Sequence, residues 1–161
     1  GWAAATSGDV EAGLARLRTG ATDWARFARL GITFHACVAA DAFLSTGHVA
    51  EARATVAAGL AAVARDGERQ SEPELLRLHG ELLLLSGEPD RAEGELRGAL
   101  ALTRQRSARG FQLRAATSLA RLWRQQGRTA EAAELLVGVL EWFDEGHDTR
   151  DLRIARAIVA V

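Results

Sequence analysis

The chain has 161 residues, 48% of them hydrophobic and 25% charged, and a formal net charge of −1. That balance suits one folded domain with a real core and excludes a disordered chain or one with an overall basic footprint for nucleic acid. The single cysteine, Cys37, excludes an internal disulfide framework and a multi-cysteine zinc site.

No apolar run approaches the roughly 20 residues that span a bilayer; the longest, Leu82 to Leu85, is far shorter. The chain starts on Gly1 and contains no Met, which predicts a fragment of a longer protein that begins partway through a helix, Trp2 to Thr6 being its tail. Every basic residue is Arg, and Ala is abundant; both favour helix.

In chain order, four turns share a pattern: Ser7-Gly8-Asp9-Val10, Thr46-Gly47-His48-Val49, Ser86-Gly87-Glu88-Pro89 and Gln126-Gly127-Arg128-Thr129. Their glycines recur at a near-constant interval, which marks an internal repeat. Five residues after each comes a small residue (Gly13, Ala52, Ala92, Ala132), and four further on an apolar one (Leu17, Val56, Leu96, Leu136). Gly20, Gly59, Ala99 and Val139 follow three later. Small residues let a second helix approach its partner closely, and the next apolar side chain fills the space beside it. Glycine at the turn tolerates the left-handed conformation that ends a helix. Ahead of three of the turns stand Phe43, Leu83 and Trp123, and three residues before these Ala40, Gly80 and Ala120.

The spacing predicts helices over 9–27, 32–46, 49–65, 72–86, 89–106, 109–126 and 129–144. Leu113 to Leu140 is the clearest hairpin of the series. Ser71-Glu72-Pro73-Glu74 reads as a capping-box start. Pro89 suits a first helical turn. Gly31 and Gly110 are read as punctuating inter-repeat joins. After Phe143 the pattern stops, and Asp148 or Thr149 is placed to cap a last helix over 149–160, with an apolar stripe at Leu152, Ile154, Ala155, Ile158 and Val159. That helix covers the final hydrophobic face of a repeat array. The expected domain is therefore single, 1–161, with repeats at about 1–28, 32–66, 72–106 and 109–144.

No phosphate loop, nucleophile elbow or paired metal-ligand spacing occurs. His35 and Cys37 point about 200° apart on a helix, so a shared metal is not expected. His79 reads as a packed core histidine, and His48 and His147 lie in turns without a visible partner. The expectation is no catalytic residue, no metal and no cofactor, hence no enzyme in this stretch. Trp24, Trp123, Trp142 and Phe143 are expected in the core or between repeats.

Two sets of residues carry a resemblance. Leu76, His79-Gly80 and Leu83 with Ala92 and Leu96, and Ala116, Leu119-Ala120 and Trp123 with Ala132 and Leu136, resemble the tetratricopeptide (TPR) repeat. The departures are a period of about 40 rather than 34, an aliphatic residue in place of Phe and no closing Pro. Leu113 to Trp123, Gln126-Gly127-Arg128 and Glu141 to Leu152 are similar to the C-terminal repeats of large bacterial signalling proteins. Those carry an N-terminal cyclase or DNA-binding domain and a regulatory NTPase module. The resemblance implies an all-α, TPR-like right-handed α-solenoid of antiparallel helical hairpins with a C-terminal capping helix. It also implies a cytoplasmic, non-catalytic interaction or regulatory module. Its partner would be a protein or peptide, its own NTPase or output domain included, with no direct nucleic-acid or membrane contact. Self-association, or packing against an NTPase module, is the alternative.

In a repeat of this kind the first helices line the concave face, at residues thirteen, ten, six and three before each turn glycine. That places Phe34, Cys37, Asp41 and Leu44 there, then Glu74, Arg77, Glu81 and Leu84, then Arg114, Thr117, Arg121 and Arg124. The expected partner groove comprises Phe34, Asp41, Glu74, Arg77, Glu81, Arg114, Thr117, Arg121 and Arg124. Between Leu96 and Ala130 there is no Asp or Glu but a run of arginines, with acids crowding both flanks. One reading is a groove with a basic end and a mixed acidic–apolar middle, in which Arg forks take carboxylates. The other is that these arginines pair with Glu74 and Glu81 or solvate a face, each exposed pair contributing about 0–1 kcal/mol.

Overall fold

The computed structural model describes residues 1–27 and 31–160, with side chains outside 21–30. The described residues form nine helices: α1 (Trp2–Thr6), α2 (Val10–Phe27), α3 (Ile32–Ser45), α4 (Val49–Asp66), α5 (Glu72–Leu85), α6 (Pro89–Gln105), α7 (Arg109–Gln125), α8 (Thr129–Leu140) and α9 (Arg150–Val159). They fall into two compact units, Gly1–Leu82 and Leu83–Val161.

The turns are built as the glycine spacing predicts. Gly8, Gly47, Gly87 and Gly127 all have positive φ, between 75° and 117°. At each, the next N–H donates to a carbonyl five residues back: Asp9 to Ala4, His48 to Phe43, Glu88 to Leu83 and Arg128 to Trp123, at 2.8–3.1 Å. This satisfies a carbonyl that the helix end would otherwise orphan.

Of the two inter-repeat joins, Gly31 punctuates its own as expected, in the left-handed conformation (φ 84°) directly before α3, and the other differs. Gly110 lies inside α7, and the left-handed residue at that join is Ser107 (φ 53°), whose following N–H, on Ala108, returns to Thr103 O at 3.1 Å. Ser107 stands one repeat period after Gly67, which ends α4 in the same conformation. Helix α5 starts at Glu72, directly after Ser71 as expected, and the Glu74 carboxylate is held by Arg77. Helix α8 ends at Leu140, short of 144. Its last fully buried residue is Val139, and Phe143, beyond the helix end, is half-buried.

In the first unit the core joins Leu14, Leu17, Ala40, Phe43, Val56 and Leu78. Two of the small residues are demanded by close approach: a Cβ on Gly13 would lie 2.3 Å from the backbone N of Ala5, and one on Gly59 would lie 2.8 Å from Leu75 Cδ2. In the second unit Leu96, Leu119, Trp123, Leu136 and Leu152 are buried, and α9 packs on α7 and α8.

Gly94 and Gly98 of α6 and Gly138 of α8 are different, since an added Cβ meets nothing within 4 Å. A mid-helix glycine costs about 0.5–1 kcal/mol relative to Ala. Gly98→Ala should therefore raise stability by about that amount in a thermal melt followed by circular dichroism. Gly13→Ala, whose Cβ strikes α1 backbone, should lower it. A drop with Gly98→Ala would mean that the α6 surface there is not open.

Candidate partner-binding surfaces

In the first unit the predicted residues of the first helices are brought together. Arg77 of α5 donates from Nε and Nη2 to Glu74 at 3.0 and 2.7 Å, and from Nη2 to Asp41 of α3 at 3.3 Å. Its Nη1 lies 3.5 Å from Glu81. Trp2 of α1 donates its indole N–H to the other Asp41 oxygen at 3.0 Å. Burial alone would lower the guanidinium pKa, but the carboxylates of Glu74, Glu81 and Asp41 outweigh it and hold Arg77 charged, its pKa above the ordinary value. Phe34, seven residues before Asp41 on α3, is 59% exposed. Trp2 is also exposed.

Several expected groove residues prove to be interior. Glu74 is 2% and Arg77 5% exposed, so this pair locks α5 rather than presenting itself to a partner. Thr117 of α7 is buried, and its hydroxyl donates to Leu113 O at 2.7 Å, one turn back in its own helix. Cys37 is buried with its thiol 3.5 Å from Ser71 O. In the second unit Arg124 donates to the carbonyl of Ile158 at 3.2 Å, in the last turn of α9. A cation at the carbonyl-bearing end of a helix is favourable, so Arg124 anchors α9. Arg114 is half-buried and Arg121 exposed.

The tryptophans divide. Trp123 is buried as expected. Its indole N–H donates to Glu93 at 2.9 Å, and the guanidinium groups of Arg128 and Arg97 lie 4.6 and 5.0 Å from its ring centre. Both arginines also bond Glu93. Trp142, expected in the core, is 56% exposed with Arg109 4.6 Å over its ring; Phe143 is half-buried. Trp24 falls outside the described side chains. Glu93 is not marked by the repeat, since the position six after the turn glycines holds Leu14, Arg53, Glu93 and Ala133. The sequence around Trp142, with Glu141 before it and Asp144-Glu145 after Phe143, is a surface signal.

Each unit also holds a cleft. The larger, about 580 Å³, lies in the second unit between α8, with Glu134, Leu135 and Gly138, and Arg104 and Trp123. The smaller, about 260 Å³, lies in the first unit and includes Phe43, Glu51, Ala54 and Thr55. Among the described residues no group of three or more His, Cys, Asp or Glu could hold a metal ion, and no helix is long and apolar enough to cross a membrane.

No family model and no curated protein matches the sequence. Solved structures do. The nearly identical TPR-like repeats of a Podosopora anserina protein described as a kinesin light chain are similar over 98% of this chain and 79% of that one, at TM-score 0.68 and 19% identity. A point-substituted form of the same repeats gives TM-score 0.69, again at 19% identity, over 98% of this chain and 78% of that one. The fold is thus all-α and of the TPR-like helical-repeat kind.

Proposed function

We propose that residues 1–161 are a non-catalytic protein–protein interaction module, taking a partner segment on the face of the first helices. The observation that supports this most directly is the convergence of α1, α3 and α5. Two exposed aromatic side chains, Trp2 and Phe34, stand on helices tied to the Asp41–Arg77–Glu81 cluster. Aromatic side chains flanked by charges are the composition of interaction hot spots. Asp41 and Glu81 supply the polar part of that surface; the second unit carries Arg114 and Arg121 on a first-helix face of its own. The likeness of Leu113 to Leu152 to the repeats of bacterial cyclase- and NTPase-bearing proteins supports a role within a cytoplasmic signalling or transcription-regulating protein. The partner is then a protein or peptide, the NTPase or output domain of the same protein included.

Phe34→Glu tests the face without threatening the fold, since an exposed substitution stays within about 0.5 kcal/mol and a carboxylate suits the first turn of α3. Quantitative cross-linking from source cells should recover the wild type's partner less with Phe34→Glu, at unchanged helicity. Equal recovery would remove the α3 face from the reading. Exposed Leu85 and Val137 favour self-association as the second reading. Light scattering that shows a concentration-dependent dimer, insensitive to Phe34→Glu, would support it.

A further inference from the structure

The two clefts occupy the same place in the repeat. Phe43, Glu51, Ala54 and Thr55 of the smaller correspond, two repeat periods on, to Trp123, Glu131, Glu134 and Leu135 of the larger. What separates them is an ion pair. In the first unit Arg18 Nε and Glu51, both lining the cleft, are 2.9 Å apart and bridge it. The equivalent residues of the second unit are Arg97 and Glu131, and each is drawn away. Arg97 goes to Glu93 at 2.8 Å and Glu131 to Arg128 at 2.8 Å. Glu93 and Arg128 stand where the first unit has Leu14 and His48. Two polar substitutions in the repeat therefore replace the direct pair by a link through Arg128, which bonds both Glu93 of α6 and Glu131 of α8.

The second cleft carries further features along its lining. Gly138 lines it, in the last turn of α8, with open space where its Cβ would be. Such a glycine weakens α8 and permits an incoming backbone to approach closely. Trp142 stands exposed at the cleft, held by Arg109. Arg104 and Glu134, also lining it, have no ion-pair partner among the described residues. Trp123, Leu135 and Val139 supply apolar lining.

We propose that this cleft is a second docking site, separate from the first-helix face, for an amphipathic helix of a partner protein. The helix inserts aliphatic anchors beside Gly138 and Trp142, with a carboxylate for Arg104 and a cation for Glu134. The oppositely charged Arg104 and Glu134 flank the apolar lining, and an i, i+4 pattern of anchors is how an amphipathic helix fills a groove.

The probe is a fluorescein-labelled helical peptide of about fourteen residues, with leucines at i, i+4 and i+7 and glutamates and lysines on opposite flanks. Control peptides carry lysine or glutamate on both flanks. Fluorescence anisotropy should show saturable binding, with the mixed peptide about tenfold tighter than either control. Gly138→Leu puts a better helix former into α8 and fills the cleft, so it should weaken binding about tenfold or more while the melting temperature holds or rises. Glu134→Lys should shift preference to the glutamate-flanked control. No saturable binding, or binding that Gly138→Leu leaves intact, overturns the proposal. Binding insensitive to Gly138→Leu but lost in Phe34→Glu would assign the peptide to the first-helix face, leaving that reading standing while this one fails.

Discussion

Replacing Arg77 by Met should destabilise the chain by about 3–5 kcal/mol, because it strands a buried carboxylate. Glu74 is 2% exposed and accepts both Nε and Nη2 of Arg77. Asp41 and Glu81 keep some access to water and can rehydrate, whereas Glu74 cannot. The loss should appear as a lower urea midpoint with little change in slope. A double variant, Glu74→Leu with Arg77→Met, removes charge and counter-charge together. It should recover wild-type stability or exceed it by about 1–4 kcal/mol, since desolvating an ion pair often costs more than its attraction returns. A single variant within about 0.5 kcal/mol of wild type would place Arg77 in water and dissolve the cluster on which the α3–α5 geometry rests.

Trp123→Ala should cost about 3–5 kcal/mol, through the cavity it leaves between α6, α7 and α8. The indole also organises charge. Burial alone would raise the Glu93 pKa, but the Trp123 N–H and the guanidinium groups of Arg128 and Arg97 outweigh it and hold the carboxyl below its ordinary value of 4.5. A carboxyl depressed on folding stabilises the fold above its unfolded pKa, and that contribution is lost as pH falls through the folded one. Trp123→Phe should therefore retain most of the packing, losing about 0.5–1.5 kcal/mol for the hydrogen bond. It should also show a smaller drop in melting temperature below pH 4.5 than the wild type, since one of the groups depressing Glu93 is gone. Phe is a natural occupant of this position: Phe43, two repeats earlier, has Arg18 5.8 Å over its ring. An unchanged melting curve for Trp123→Ala would put the side chain on the surface.

The helix boundaries are legible in the sequence to within a residue or two at most ends because their causes are local. A glycine at positive φ and an N–H returning five residues mark each turn, and both are encoded within six residues. The end of α8 at Leu140 is not legible, because nothing in Glu141-Trp142-Phe143 breaks a helix. The join at Ser107 escapes the sequence for a related reason. A serine in the left-handed region carries no sequence mark, and nearby Gly110 draws the assignment although α7 contains it comfortably.

The candidate site is legible only in part. Counting back from the turn glycines locates the positions on the first helices, and Asp41, Arg77 and Glu81 do meet. The same count cannot say that Glu74, Arg77 and Thr117 are interior, or that Arg124 serves the end of α9. Depth depends on what packs above a helix, and the helix that engages Arg124 is the last in the chain, beyond the whole of α8.

By itself, the sequence determined the repeat: its period, its turns, and the positions that must be small or apolar. These follow from the 3.6-residue periodicity and the conformational freedom of glycine, both local properties of the chain. Only the tertiary structure decided which charges pair. Arg18 and Arg97 stand at the same repeat position, yet one bridges a cleft to Glu51 and the other turns to Glu93, so that Arg128 takes Glu131 instead. That choice is made over a few ångströms between groups brought together from different helices, because an ion pair forms with whichever carboxylate the packing presents first.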